Sequence, residues 1–229
     1  MPSLQKHNEP KTQKYRGLFE SEIALAKEVF QDTLPYERIF IRNLKTATQG
    51  ITLATRRNRK KANYILIWSD AFSTNITSRH DLSSTFIHEL VHVWQGQYAG
   101  KTSMSYMRKS AWHQFNYGVK DIFKDGFGKG LKRSFEVIGK DFNREWGRHR
   151  NTAYCFDCEK IGEDFNTFNV EQQALIIESW FRKESFRLNG IEYPAGFQSE
   201  NDYRFPYVRD CIREGNPDAF YISQLSTDV

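Results

Sequence analysis

Eleven residues, Thr85-Phe86-Ile87-His88-Glu89-Leu90-Val91-His92-Val93-Trp94-Gln95, constrain the fold of this chain more than any other stretch. Phe86, Ile87, Leu90, Val91, Val93 and Trp94 are apolar and fall on nearly every side of a helix, so that helix belongs in the interior. It nevertheless carries two imidazoles and a carboxylate. Buried polar groups need hydrogen bonds, and buried charges need counter-charges. The spacing suggests what supplies them. Residues four apart on a helix are turned by only about 40° and lie about 6 Å apart along the axis. His88 and His92 therefore leave one face, one turn apart, as two ligands closing on a single cation must. Glu89 is rotated by about 100° from His88, which sets it beside such a cation rather than on it. Two nitrogen ligands and a carboxylate held back as general base form the arrangement of zinc hydrolases. The competing reading is a hydrogen-bonded cluster in the core.

A zinc site of this kind needs a third protein ligand and leaves the fourth position to water. The segment Phe165-Asn166-Thr167-Phe168-Asn169-Val170-Glu171-Gln172-Gln173-Ala174-Leu175-Ile176-Ile177-Glu178-Ser179-Trp180-Phe181 offers one. Asn169 followed by Gln172 reads as a capping box, so a helix starts there. Glu171, Ala174, Leu175 and Glu178 share a face, which puts Glu171 in the first turn on a mostly apolar stripe where a carboxylate wants a strong partner. Glu171 is the expected third ligand. Glu178 is the alternative ligand, or the acceptor of a hydrogen bond from a ligand histidine. A helix-terminal glutamate favoured by the macrodipole is the structural alternative. Gln95 and Tyr98 stand where a metzincin would have Gly and His, which excludes that class. Asp164 lacks a helical setting. Tyr203 and Tyr207 are candidate oxyanion donors, although most tyrosines simply pack.

The chain of 229 residues suits one domain, or one domain with a large insertion. The mean hydropathy of −0.68 describes a water-compatible protein, and no apolar run approaches the ~20 residues of a membrane span. Met1 to Pro10 lacks the apolar core of a secretory signal, so synthesis in the cytoplasm is expected, with export by a leaderless route left open. The net charge is +5, yet residues 101–150 hold twelve Lys or Arg against five Asp or Glu, a local excess of +7. Such a segment suits an acidic protein, a phosphate backbone or an anionic surface, and a solvated face explains it more simply. Three cysteines argue against a disulfide framework. Cys155 and Cys158 form a lone C-x-x-C, better read as two thiols or a local disulfide than as a second zinc site with His149.

Residues 1–16 read as a flexible arm. The remainder, 17–229, reads as a single α+β domain with a basic, partly helical insertion at about 101–160. A helix is expected from Phe19 to Asp32, and strands over Tyr36 to Arg42, Gly50 to Thr55 and Asn63 to Trp68, the last nearly all apolar and therefore central. The metal helix should start at an Asp81 or Ser83 cap and run to about Tyr98. Helical spacing over Ser103 to Gly118, which contains His113, and over Leu131 to Phe142 frames the glycine-rich Asp125 to Gly130. That stretch lacks the context of a phosphate loop.

The pair His88-Glu89-Leu90-Val91-His92-Val93-Trp94-Gln95 and Phe168-Asn169-Val170-Glu171-Gln172-Gln173-Ala174 resembles the zincin-like metallopeptidase domains of bacterial type VI secretion, fused to spike-tip proteins or associated with Rhs elements. The likeness runs from about Phe19 to Phe181. It implies a gluzincin-type fold, with a small mixed sheet packed on the H-E-x-x-H helix and a later ligand-bearing helix. It also implies zinc on His88, His92 and Glu171, catalysis by Glu89, and an antibacterial effector. The expected partners are then a peptide or protein substrate, a secretion-spike protein and an immunity protein. The connection between His92 and Glu171 is longer than in those relatives, and Leu175 stands where thermolysin-like enzymes place Asp. The rival reading is an inactive binding module of the same fold whose basic segment docks a protein or, least favoured, a nucleic acid.

Overall fold

The computed structural model describes residues 15–43, 51–54, 59–68, 72, 74–98, 154–188 and 190–218. Its elements are β1 (Tyr15–Gly17), α1 (Glu20–Phe30), β2 (Ile39–Arg42), β3 (Ile51–Ala54), β4 (Tyr64–Ile67), α2 (His80–Tyr98), α3 (Val170–Phe181), β5 (Phe186–Leu188) and β6 (Ile191–Tyr193). The architecture is α+β. The helices predicted over 103–118 and 131–142, with His113 and His149, lie outside the described residues, as does the glycine-rich stretch.

Four strands form one sheet in the order β1-β2-β4-β3. β2 and β4 are parallel, while β1 and β3 run antiparallel to them at the two edges. The apolar run Tyr64–Ile67 makes β4 an interior strand, as its composition requires. Its register pairs Thr52 of β3 with Leu66. β5 and β6 form a separate hairpin.

Several boundaries differ from the sequence expectation. Tyr36–Arg38, directly after Pro35, form a 3-10 turn, so the strand expected from Tyr36 begins at Ile39. Tyr15 and Arg16 belong to β1 rather than to a loose arm. The reason is Glu22, which is fully buried. Its two oxygens accept from Arg16 Nη1 and Nη2 at 2.8 Å each, and Oε2 also accepts from the Phe19 amide at 2.9 Å. One buried carboxylate thus ties the first strand to the start of α1. Neither Asp81 nor Ser83 caps α2, because the helix begins at His80. Asp81 sits in the first turn, where its charge suits the helix dipole. The Ser83 hydroxyl faces the carbonyls of Ile76 and Arg79, at 3.1 and 3.0 Å.

α2 is buried along most of its length, from Leu82 to Gly96 apart from Thr85. It packs against α3, against β3, and against the turn Ile76–Ser78. Trp94 Nε1 donates to the Ile212 carbonyl at 3.0 Å, which anchors the C-terminal π-helical turn Tyr207–Ile212 to α2. Gly196 meets the end of α3 closely: a Cβ there would overlap the Trp180 backbone. That approach lets the amides of Gly196, Phe197 and Gln198 cap the carbonyls of Ser179, Arg182 and Trp180.

Candidate metal centre

α3 begins as its sequence requires. The Asn169 side chain accepts from the amides of Glu171 and Gln172, and Gln172 Oε1 accepts from the Asn169 amide at 2.9 Å. The box fixes the first turn, and with it Glu171, which is fully buried against α2. His88, His92 and Glu171 come together, with one ligand atom from each lying within 4.8 Å of the others. Glu171 Oε2 is 3.4 Å from His88 Nε2 and 3.3 Å from His92 Nε2.

Those separations can be tested against a bound ion. A tetrahedral zinc about 2.0–2.1 Å from each donor holds the donors about 3.3 Å apart. Charge-assisted hydrogen bonds between an imidazolium and a carboxylate close to about 2.7–2.9 Å. The observed spacing matches the edge of a coordination tetrahedron better than direct hydrogen bonding.

The protons on the two rings are set by their surroundings. Gln173 Nε2 donates to the carbonyls of Phe165 and Phe168, at 2.9 and 3.2 Å, so its Oε1 must be an acceptor. Gln95 Nε2 donates to that oxygen at 2.7 Å and to the Val170 carbonyl at 3.0 Å. Gln95 Oε1 is therefore left to accept from His92 Nδ1, at 2.9 Å. The chain of two amides fixes His92 as the Nδ1–H tautomer, with its Nε2 lone pair toward Glu171. On the other ring, His88 Nδ1 donates to Glu178 Oε2 at 3.0 Å. Arg182 in turn donates from Nε and Nη2 to Glu178 Oε1, at 3.1 and 2.9 Å. Both imidazoles present Nε2 to the same point.

Charge balance asks for a cation as well. Glu171 and Glu178 are buried carboxylates, and Arg182 pairs with Glu178. A divalent ion, or protons on the imidazoles, supplies positive charge beside Glu171. Without a metal the imidazoles take that part. Burial opposes a charged His88, but Glu171 and Glu178 outweigh it and push its pKa up to about 10. His92 is raised for the same reason, burial again opposing and Glu171 prevailing. Burial would raise the Glu171 carboxyl, yet His92 and His88 hold it well below the usual carboxylate range.

Glu89 lies next to the cluster on α2, and its Oε2 accepts from Thr52 Oγ1 of β3 at 2.6 Å. The ring of Tyr154 stacks on His88, with centroids 5.6 Å apart and planes 25° from parallel. Sequence reasoning missed Thr52, Gln173 and Tyr154. Of these, only Gln173 carried a signal, since it lies two residues beyond Glu171 on the same helix.

The other candidates have the following partners. Tyr207 is fully buried, and its hydroxyl donates to the Glu163 carbonyl at 2.7 Å and accepts from the Gly162 amide at 2.8 Å. Both bonding directions serve the backbone, so the structure does not offer this phenol to the cluster. Tyr203 interacts with the Cys158 thiol and lies beside Arg204. The Asp164 side chain caps the short turn Phe165–Thr167. Cys155, Cys158 and Cys211 form no disulfide; the first two are half-buried and Cys211 is buried.

No family model matches the chain, and no curated protein matches it. Among solved structures, the effector domain of Pseudomonas aeruginosa VgrG2b is similar at 20% identity, over 77% of this chain and 78% of that one, with a TM-score of 0.37. Among the described residues no helix is long and apolar enough to cross a membrane.

Proposed function

We propose that this chain is a zinc-dependent peptidase of zincin-like fold. The observation that carries the reading is the convergence of His88, His92 and Glu171, with Glu171 Oε2 at 3.4 and 3.3 Å from the two Nε2 atoms, and Glu89 beside them on the same helix. Zinc, when bound, polarises a carbonyl and lowers the pKa of a bound water toward about 7. The chain's own residues supply the rest. Glu89 accepts the proton of the attacking water and delivers it to the departing amine nitrogen. Among the described residues β3 is an edge strand beside α2, and an extended peptide substrate would lie along it by backbone pairing.

The cellular role we propose is that of an antibacterial effector delivered by type VI secretion, on the strength of the two motifs around His88 and Glu171. A secretion-spike protein and an immunity protein are then its partners.

Glu89→Gln tests the enzyme. The variant should keep zinc and fold while cleavage of labelled casein falls by about 10²–10⁴-fold. Expressed in a bacterial host, the wild type should arrest growth and the variant should not. Wild-type turnover by Glu89→Gln contradicts the role of Glu89. Zinc retained without any turnover in the wild type favours the binding-module reading instead.

A further inference from the structure

Thr52 places a hydroxyl in the buried seam between β3 and α2. It sits on edge strand β3, opposite the fully buried Leu66, and is itself 4% exposed. Its face of the sheet meets α2. A buried hydroxyl needs a hydrogen-bond partner, and Thr52 finds its partner on Glu89. That bond runs to Glu89 Oε2 at 2.6 Å, while the Glu89 carbonyl lies farther off at 3.1 Å. A hydroxyl has one proton to give. The shorter, charge-assisted contact takes it.

We propose that Thr52 is a positioning residue for the general base, an inference that rests on the peptidase reading of Glu89. The last torsion of a glutamate is broad and roughly two-fold, so a carboxylate with no anchor presents either oxygen over a range of angles. Thr52 commits Oε2 and leaves Oε1 as the oxygen that receives the proton. The anchor survives the proton's arrival. When Oε1 carries hydrogen, Oε2 becomes the carbonyl oxygen of the acid and still accepts from Thr52. The proton then passes from Oε1 to the leaving nitrogen, and the Thr52 bond has neither broken nor turned. The edge strand beside which a peptide would lie thereby also sets the orientation of the base.

Thr52→Val keeps the shape and removes the donor, whereas Thr52→Ser keeps the donor and removes a methyl group. With labelled casein as probe, Thr52→Val should lower kcat by about 10- to 100-fold, leave KM within about two-fold, and retain zinc. Thr52→Ser should recover most of the loss. A high-resolution crystal structure of Thr52→Val, which needs no substrate, should show the Glu89 carboxylate in more than one orientation. A single wild-type orientation there overturns the proposal. So does full activity of Thr52→Val, or a Thr52→Ser variant as impaired as Thr52→Val, which would mark the methyl as the part that matters. Glu89→Gln in the same assay separates the two ideas. If Glu89→Gln is inactive and Thr52→Val fully active, only the role of Thr52 fails. If Glu89→Gln turns over normally, the peptidase reading fails first.

Discussion

Gln95→Leu tests whether the amide chain behind His92 is part of the metal centre. The substitution removes the acceptor of His92 Nδ1, which lies 2.9 Å from Gln95 Oε1, and the donor that reaches Val170 and Gln173 at 3.0 and 2.7 Å. Two consequences can be separated. The first is stability: each buried group that loses its partner costs about 1–3 kcal/mol, and this falls on the metal-free and metal-bound protein alike. The second is metal affinity. A His92 ring without its anchor is free in both tautomer and orientation, and only one combination aims the Nε2 lone pair at the ion. Removing such outer partners weakens metal binding by about 10- to 100-fold, or about 1.4–2.7 kcal/mol. Competition against a chromogenic chelator measures the zinc Kd, and circular dichroism verifies that the metal-free variant is folded. Gln173→Leu is the control. It breaks the chain one link farther from the ring, at the bonds to Phe165 and Phe168. It should cost similar stability and weaken zinc binding less. A wild-type Kd in Gln95→Leu refutes the reasoning. An equal loss in Gln173→Leu would assign the effect to the amide chain as a whole rather than to the Gln95–His92 bond alone.

Two further expectations concern pH and packing. In the metal-free protein the raised His88 stabilises the fold fully below its unfolded pKa of about 6.5 and loses that contribution as pH rises through about 10. Glu171 and Glu178 are both depressed, Glu178 despite burial because of His88 and Arg182, and so stabilise above an unfolded pKa of about 4.5 and fade as pH falls. Metal-free protein should therefore be most stable in mildly acid buffer. Zinc requires unprotonated imidazoles, so the rise in Tm on adding zinc should grow from about pH 6 to pH 9; a rise that is flat with pH in scanning calorimetry contradicts the protonated-pair account. Gly96→Ala places a Cβ 2.8 Å from Tyr64 Cε1 of β4. Moving that ring should cost about 1–3 kcal/mol, read as a lowered denaturation midpoint, and an unchanged midpoint would show that the ring yields freely.

Much of the centre was legible because its parts are local. The turn from His88 to His92, the Asn169–Gln172 box and the seven-residue interval from Glu171 to Glu178 all follow from helix periodicity, and the structure places these side chains accordingly. Gln95 was legible as the end of the helix motif and as the residue that rules out a metzincin, but not as the partner of His92. Its bond to His92 spans one turn, but its meaning comes from Gln173, 78 residues away. Thr52 meets Glu89 across 37 residues, a contact that exists only because β3 lies at the sheet edge against α2. Nothing in the spacing of Gly50 to Thr55 encodes that placement. Tyr207 shows the opposite failure. A phenol near turn residues looks available in sequence, yet its hydroxyl is consumed by the Gly162–Glu163 backbone.

The claim beneath all of this is that one divalent ion joins α2 to α3. Zinc-edge X-ray absorption on zinc-loaded, desalted protein tests it most directly. The account predicts one zinc per chain with two imidazole nitrogens among otherwise oxygen donors, abolished by His88→Ala or Glu171→Ala. A chain that retains no zinc, or a spectrum dominated by sulfur that places the ion at Cys155 and Cys158, would contradict it.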